Sequence, residues 1–148
     1  VANRRLFFNG DHRCSTSVNT RMHSIFALTS VPLFLGALLS DWAYFSSHEI
    51  QWVNFAAWLI AGGLLMAGPA LLWGAVDVLR SSVNRHRPGL IYLTLLLATF
   101  VVGFINALVH GKDGWAAMPT GLILSAVVVV LVATASVIGL AGFLRRTA

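Results

Sequence analysis

The sequence predicts an all-α integral membrane protein, a four-helix up-down-up-down bundle with both termini in the cytoplasm. Apolar residues make up 57% of the 148 residues, whereas Asp, Glu, Lys and Arg together make up 10%. Soluble domains carry roughly 25% charged residues, so this inventory does not provide a water-facing surface. Four apolar stretches each meet the length of roughly 20 residues that a helix needs to cross the hydrocarbon core. The composition therefore excludes soluble enzymes and disordered chains.

The four predicted spans follow one another with short connections. A cytoplasmic N-terminal arm at residues 1–21 precedes a transmembrane domain at residues 22–148, with spans at about 25–45, 52–76, 90–109 and 121–144. Short connections between long helices favour antiparallel neighbours. The valine-rich run at 126–132 has the composition of a strand. It lies within a longer uncharged stretch, and a lipid-embedded backbone must satisfy its own hydrogen bonds, so this run is predicted to be helical.

The arginines predict the orientation of the bundle. Nine of them fall on the side that holds the N-terminal arm, the middle loop and the C-terminus, whereas the other side holds only Lys112. The positive-inside rule places the arginine-rich side in the cytoplasm, and we expect a bacterial inner membrane. The transmembrane topology accounts for the excess of basic over acidic residues, so the expected partner is the lipid bilayer and not a nucleic acid. Aromatic residues predicted to anchor the interfaces are Trp42, Tyr44, Trp52 and Trp115 outside, and Trp73 and Tyr92 inside.

Small residues are concentrated in the second span. They include the pair Gly63 and Ala67 and the pair Ala70 and Gly74, each four residues apart. In lipid there is little hydrophobic drive between helices, and small residues allow the close approach on which packing depends. We therefore expect the second helix to be the most buried of the four.

Polar and ionisable residues in or beside the spans form two candidate clusters, since such groups are rare in a membrane and mark sites. The outer cluster is Asp41, Asn106, His110 and Asp113; the inner cluster is His23, Asp77 and His86. His110 shares a helix face with Asn106 and is expected to bond to Asp113, which would fix the imidazole tautomer. Two hydroxyl residues of the fourth span, Ser125 and Thr134, are expected to bond to carbonyls of their own helix.

The outer cluster admits two interpretations. In the first, Asp41 and His110 hold helix ends together through hydrogen bonds. In the second, they line a pocket for a quinone headgroup, a haem edge or a transported proton. Haem b requires two histidines on facing helices at matching depth, but His48 and His86 fall in predicted loops. No tight ligand spacing points to a metal site, and no nucleophile–base arrangement points to catalysis, so an enzyme is not expected.

The order of several short motifs resembles that of a bacterial membrane-protein family termed domain of unknown function 2231, over most of residues 22–144. The motifs are His23 with Pro32 after it, Asp41-Trp42-Ala43-Tyr44, Trp58-Leu59-Ile60-Ala61-Gly62-Gly63, Gly74-Ala75-Val76-Asp77, His110-Gly111-Lys112-Asp113-Gly114-Trp115 and Met118-Pro119-Thr120-Gly121-Leu122. The family often has Pro directly after this His, where the chain has Ser24. Its members look like four-helix membrane proteins, and relatives occur fused to or encoded near redox modules. The resemblance thus implies a membrane partner in respiratory or photosynthetic electron transfer, and it singles out His23, Asp41, Asp77, His110 and Asp113.

Together these observations predict a non-enzymatic membrane subunit that anchors or stabilises a larger redox assembly with other membrane proteins. One alternative is direct electron transfer, with haem b or quinone held near the histidines. A weaker alternative is transport of a proton or small solute by an oligomer, through Asp41 and His110.

Overall fold

The computed structural model describes the backbone of residues 8–80, 87–112 and 114–147, and the side chains of residues 25–76, 78–79, 89–112 and 116–141. Over these residues the chain forms helices and short connections and no strand. The helices are α1 (Phe8–Ser47), α2 (Ile50–Arg80), α3 (Arg87–His110), the single turn α4 (Gly114–Ala117) and α5 (Thr120–Thr147).

Four of these helices are long and apolar enough to cross a membrane, which confirms the predicted all-helical membrane bundle, while the cytoplasmic position of both termini stays a prediction. The spans are Ile25–Ser47, Ile50–Val76, Gly89–His110 and Thr120–Ala141. The valine-rich run lies within α5 and is helical, as predicted. α1 begins at Phe8 and enters its span without a break, so most of the predicted arm is helical. A helix propagates readily once formed, because each added residue gains one hydrogen bond.

The long helices are arranged around a central core. α1 packs against α2 and α5, and α3 packs against the same two helices. α1 and α3 therefore lie on opposite sides of the bundle. Only His48 and Glu49 separate α1 from α2, and such a short connection makes these two helices antiparallel neighbours.

The core is built around the ring of Phe34, which α1 inserts between glycines of two other helices. Phe34 is 1% exposed. A Cβ atom on Gly63 of α2 would lie 2.8 Å from this ring, and one on Gly103 of α3 would lie 3.5 Å from it. Gly63 and Ala67 are buried, as the small-residue pattern predicted. The close approach of the helices thus depends on the missing side chain at Gly63.

The expectation that α2 is the most buried helix is wrong. In the most apolar part of each span, 33% of residues are buried in α1 and 28% in α2. The small residues of α2 pack against Phe34, whereas the opposite face of α2 points outward. Trp58, Leu65 and Leu72 recur every seven residues along that face and are 79%, 68% and 70% exposed. A helix with small residues on one side presents its large ones to lipid.

The interfacial aromatic residues differ in exposure. Trp42 and Trp52 are exposed, as an anchor in the headgroup region requires. Trp73 is half-buried, and its ring stacks on that of Phe26 with 6.4 Å between centroids. Tyr92 is half-buried against Gly139 of α5. Tyr44 is buried inside the bundle and so is not an anchor in the headgroup region. The side chain of Trp115 lies outside the described residues.

A matched pair of substitutions tests the packing around Phe34. Gly63→Ala places a Cβ atom 2.8 Å from a buried ring, so we expect the free energy of unfolding to fall by about 1–3 kcal/mol. In Gly62→Ala the nearest side-chain atoms belong to Leu33 at 3.8 Å, which is an ordinary contact. This control is expected to be neutral or slightly stabilising, since Ala favours a helix over Gly. Thermal unfolding in one detergent measures both, and equal effects would contradict the packing described.

Candidate functional site

A cluster of four buried polar side chains lies near one end of the bundle. α1 contributes Asp41, α3 contributes Asn106 and His110, and α5 contributes Ser125. Asp41 lies six residues before the end of its helix, about 9 Å along the axis. The Asp41 side chain is 0% exposed, as is that of His110. The four residues thus join three helices within the membrane region, and we call them the polar ring.

The hydrogen bonds of the polar ring form a closed loop that begins and ends at Asn106. The side-chain amide of Asn106 donates to the Ser125 hydroxyl at 2.8 Å, and this hydroxyl donates to Asp41 Oδ2 at 2.5 Å. Asp41 Oδ1 lies 2.7 Å from His110 Nε2. His110 Nδ1 lies 3.0 Å from the main-chain oxygen of Asn106. Asn106 therefore begins the ring through its side chain and ends it through its backbone.

The chemistry of these groups determines how many protons the Asp41–His110 pair shares. A main-chain carbonyl only accepts, so His110 Nδ1 carries the proton that it donates to Asn106. Nε2 and Asp41 Oδ1 are then both acceptors unless a further proton lies between them. The 2.7 Å contact requires that proton, held on the imidazole or on the carboxyl group. The Asp41–His110 pair consequently shares one proton, in addition to the one on Nδ1, and has no net charge.

Neutrality matters because the pair is buried at membrane depth. A single charge left there without a partner costs several kcal/mol. Removing the shared proton would leave one negative charge on the ring, and adding a second would leave one positive charge. A pair without net charge avoids this cost.

A glycine of α5 makes room for the imidazole. A Cβ atom on Gly121 would lie 2.8 Å from His110 Cε1 and 3.4 Å from Nε2. Any larger residue at position 121 would displace the imidazole of His110 from Asp41. Gly121 and Ser125 are four residues apart and so share one helix face, which both seats the imidazole and supplies the hydroxyl.

The structure brings together Asp41, Asn106 and His110 of the predicted outer cluster, whereas Asp113 lies outside the described residues. The nitrogens of His110 contact Asp41 and the Asn106 carbonyl, and these contacts set the tautomer.

The expectation that Ser125 bonds to its own helix is wrong, because its hydroxyl donates to Asp41. Thr134 does bond to its own helix, at 2.7 Å from the Val130 oxygen. In the sequence, only its spacing of four residues from Gly121 distinguishes Ser125 as a site residue.

The predicted inner cluster remains a prediction. His23 lies in α1 and Asp77 in α2, but their side chains lie outside the described residues, as does all of His86.

The open position of the polar ring is an atom that has no hydrogen-bond partner among the described residues. Asn106 Oδ1 is buried, and no donor among the described residues reaches it. It can accept one bond from water or another small donor. Both nitrogens of His110 are already in hydrogen bonds, which leaves no lone pair for a metal or haem iron. Within the described ranges, no three His, Cys, Asp or Glu residues lie close enough to share a metal ion.

Comparison with known proteins identifies a family. Residues 20–143 match a family described as "Predicted membrane protein (DUF2231)". No curated protein and no solved structure matches the chain.

Two serine substitutions test whether the polar ring stabilises the bundle. Ser125→Ala leaves Asp41 Oδ2 and the Asn106 amide without their partner, so we expect a loss of about 1–2 kcal/mol in the free energy of unfolding. Ser40→Ala is the control, since this hydroxyl bonds only to the Gly36 carbonyl of its own helix. It should change stability by less than half as much. Unfolding by denaturant in a mixed micelle compares the two, and a larger loss in Ser40→Ala would refute the ring's role.

The tautomer of His110 is a second prediction. Nitrogen NMR of protein labelled at histidine should show a proton on Nδ1 of His110, because this atom faces the Asn106 carbonyl. In Ser125→Ala the same nitrogen should stay protonated, since that contact is unchanged. An imidazole that carries its only proton on Nε2 would contradict the assigned hydrogen-bond directions.

Proposed function

The chain belongs to the family of predicted membrane proteins termed DUF2231, and we propose that it is a non-enzymatic membrane subunit that anchors or stabilises a larger redox assembly. The membrane is a bacterial inner membrane in this proposal, with the arginine-rich side in the cytoplasm. The redox character of the assembly is carried over from the family resemblance. The role as a stabilising subunit is supported by the geometry of the polar ring.

The observation that carries the proposal is that the side chains of the polar ring bond to one another and to the backbone within the bundle. Both oxygens of Asp41 and both nitrogens of His110 bond to other groups of the bundle. These bonds tie α1, α3 and α5 together, and each contributes of the order of 1 kcal/mol in a membrane protein. A catalytic group must instead present a free atom to a substrate. The ring thus has the chemistry of a clamp between helices.

The outer surface of the spans supports a role in assembly. Large apolar residues cover it, among them Trp58, Leu65 and Leu72 of α2. These residues keep the bundle within the bilayer, where other membrane subunits also lie. A rigid bundle with an apolar exterior is therefore suited to contact neighbouring subunits from within the bilayer.

Two other functions stay as alternatives. Direct electron transfer through haem b gains no support from His110, whose ring nitrogens are occupied, and so depends on other histidines. Proton transport depends on exchange of the proton shared by Asp41 and His110. The substitution Asp41→Asn separates this alternative from the proposed function, because an amide keeps the hydrogen bonds but cannot release a proton.

We expect Asp41→Asn to preserve the assembly. The new amide nitrogen can donate to His110 Nε2 while its oxygen accepts from Ser125, so the polar ring stays closed. Asp41→Ala opens the ring and leaves two buried groups without partners, and it should reduce recovered partner subunits several-fold. Tagged chains are purified from native membranes in mild detergent, and co-purifying proteins and chromophores are quantified by mass spectrometry and absorbance.

The controls make the result decisive. Ser40→Ala, which leaves the ring intact, should recover the same partners as the unmodified chain. Elution of the unmodified chain alone, as a stable monomer, would overturn the proposal. Proton flux in liposomes that is abolished by Asp41→Asn, in a protein of unchanged stability, would favour the transport alternative.

A further inference from the structure

The proton that Asp41 and His110 share couples the closing of the polar ring to pH. His110 Nδ1 donates to the Asn106 carbonyl, so Nε2 and Asp41 Oδ1 are both acceptors, and their 2.7 Å contact holds one further proton. When the helices separate, this contact is lost, and each side chain gains or loses protons as a free group does. The number of bound protons therefore differs between the closed ring and the separated helices at some pH values and not at others.

The protons on the separated side chains follow from the ordinary behaviour of a carboxyl group and an imidazole. A free carboxyl group loses its proton near about pH 4, and a free imidazolium loses one near about pH 6.5. Between these values the separated groups hold one proton besides the one that a neutral imidazole keeps, which equals the number in the closed ring. Above this range they hold none, so closing the ring takes up one proton from water. Below it they hold two, so closing the ring releases one.

We propose that the polar ring is a pH-sensitive clamp, which closes with the uptake of one proton at neutral and alkaline pH and is strongest between about pH 4 and about pH 6.5. This inference rests on the proposed role of the ring as a clamp between helices, and it adds how that clamp is regulated. Above the optimal range, each unit of pH favours the separated helices by close to tenfold. In the predicted orientation the ring lies towards the outside of the cell, where moderate acidity strengthens it.

The shared proton is isolated from water and from other charges while the ring is closed. The side chains of Asp41 and His110 are both 0% exposed, so the pair exchanges this proton with water as the helices separate. The spans of α2 and α5, which flank the ring, contain no residue that titrates. The other titratable residues at this end of the bundle are Tyr44, which is buried, His48, Glu49 and Lys112, which are exposed, and Asp113, which lies outside the described residues.

The test measures the equilibrium unfolding of the full chain as a function of pH, and it compares the unmodified chain with Asp41→Asn. In the unmodified chain the closed ring holds a proton that the unfolded chain loses as the pH rises. Its equilibrium constant for unfolding should therefore rise about 25-fold between about pH 6 and about pH 8. A micelle of non-ionic detergent is used, because the charge of such a micelle does not change with pH.

Asp41→Asn should reverse the slope of this profile. Its amide donates to His110 Nε2, so the closed ring keeps its hydrogen bonds, holds no shared proton and leaves the imidazole neutral. The unfolded variant gains a proton on His110 as the pH falls. The equilibrium constant for its unfolding should therefore fall about fourfold from about pH 6 to about pH 8. The ratio of the two constants changes about 100-fold over this interval, an effect that a merely structural role for Asp41 would not produce.

Ser40→Ala is the matched control, since this hydroxyl bonds only to its own helix, and its profile should follow that of the unmodified chain. His48 and the other titratable groups are the same in all three chains, so their contributions cancel in the ratio. The proposal is overturned if the ratio for Asp41→Asn changes less than about tenfold over this interval, where one full proton predicts about 100-fold. These measurements use the isolated chain, so their outcome is independent of whether partner subunits co-purify.

A second measurement needs no variant. On refolding in weak buffer at about pH 8, the unmodified chain should take up about one proton more than it does at about pH 5.5. A pH-sensitive dye in the detergent solution reports this uptake. Equal uptake at the two pH values would also overturn the proposal.

Discussion

The bundle depends on the hydrogen bond between Asp41 and His110, which crosses it from α1 to the opposite helix α3. A carboxyl group about two turns inside a span is costly unless its partner is fixed, and here the partner lies at 2.7 Å. The bond sets the height of one helix relative to the other. Ser125 extends the constraint to α5. The hydrogen bonds that the buried carboxyl group of Asp41 requires therefore determine the relative positions of three helices.

Packing around Phe34 supplies the second constraint, in the middle of the bundle. The ring lies in a notch formed where Gly63 and Gly103 have no side chains. Apolar contact alone does little to determine how a helix in lipid is rotated about its own axis, because lipid tails are as apolar as the core. A rigid ring in a shaped notch removes that freedom for α1 and α2. Phe34 and Asp41 are seven residues apart on α1, so both constraints act through one face of this helix.

The sequence predicts the spans and the depth of each polar residue, because length and hydropathy encode position along the membrane normal. It does not predict how each helix is rotated about its axis. Both faces of α2 are apolar, so its pattern did not reveal that Trp58 faces outward or that α1 is the more buried helix. Ser125 was missed for a related reason. A hydroxyl in a membrane helix can bond to a carbonyl of its own helix, as that of Thr134 does. The rotation of α5 about its axis instead turns the Ser125 hydroxyl towards Asp41.

The closed form of the polar ring also bears on what it does with its proton. A proton wire needs a group that delivers a proton at one end and one that receives it at the other. This ring begins at the Asn106 amide, which does not release a proton, and ends at the Asn106 carbonyl, which does not take one up. The open position, Asn106 Oδ1, accepts hydrogen bonds and carries no proton to pass on. The described bonds therefore close on themselves, as the proposed clamp between helices requires.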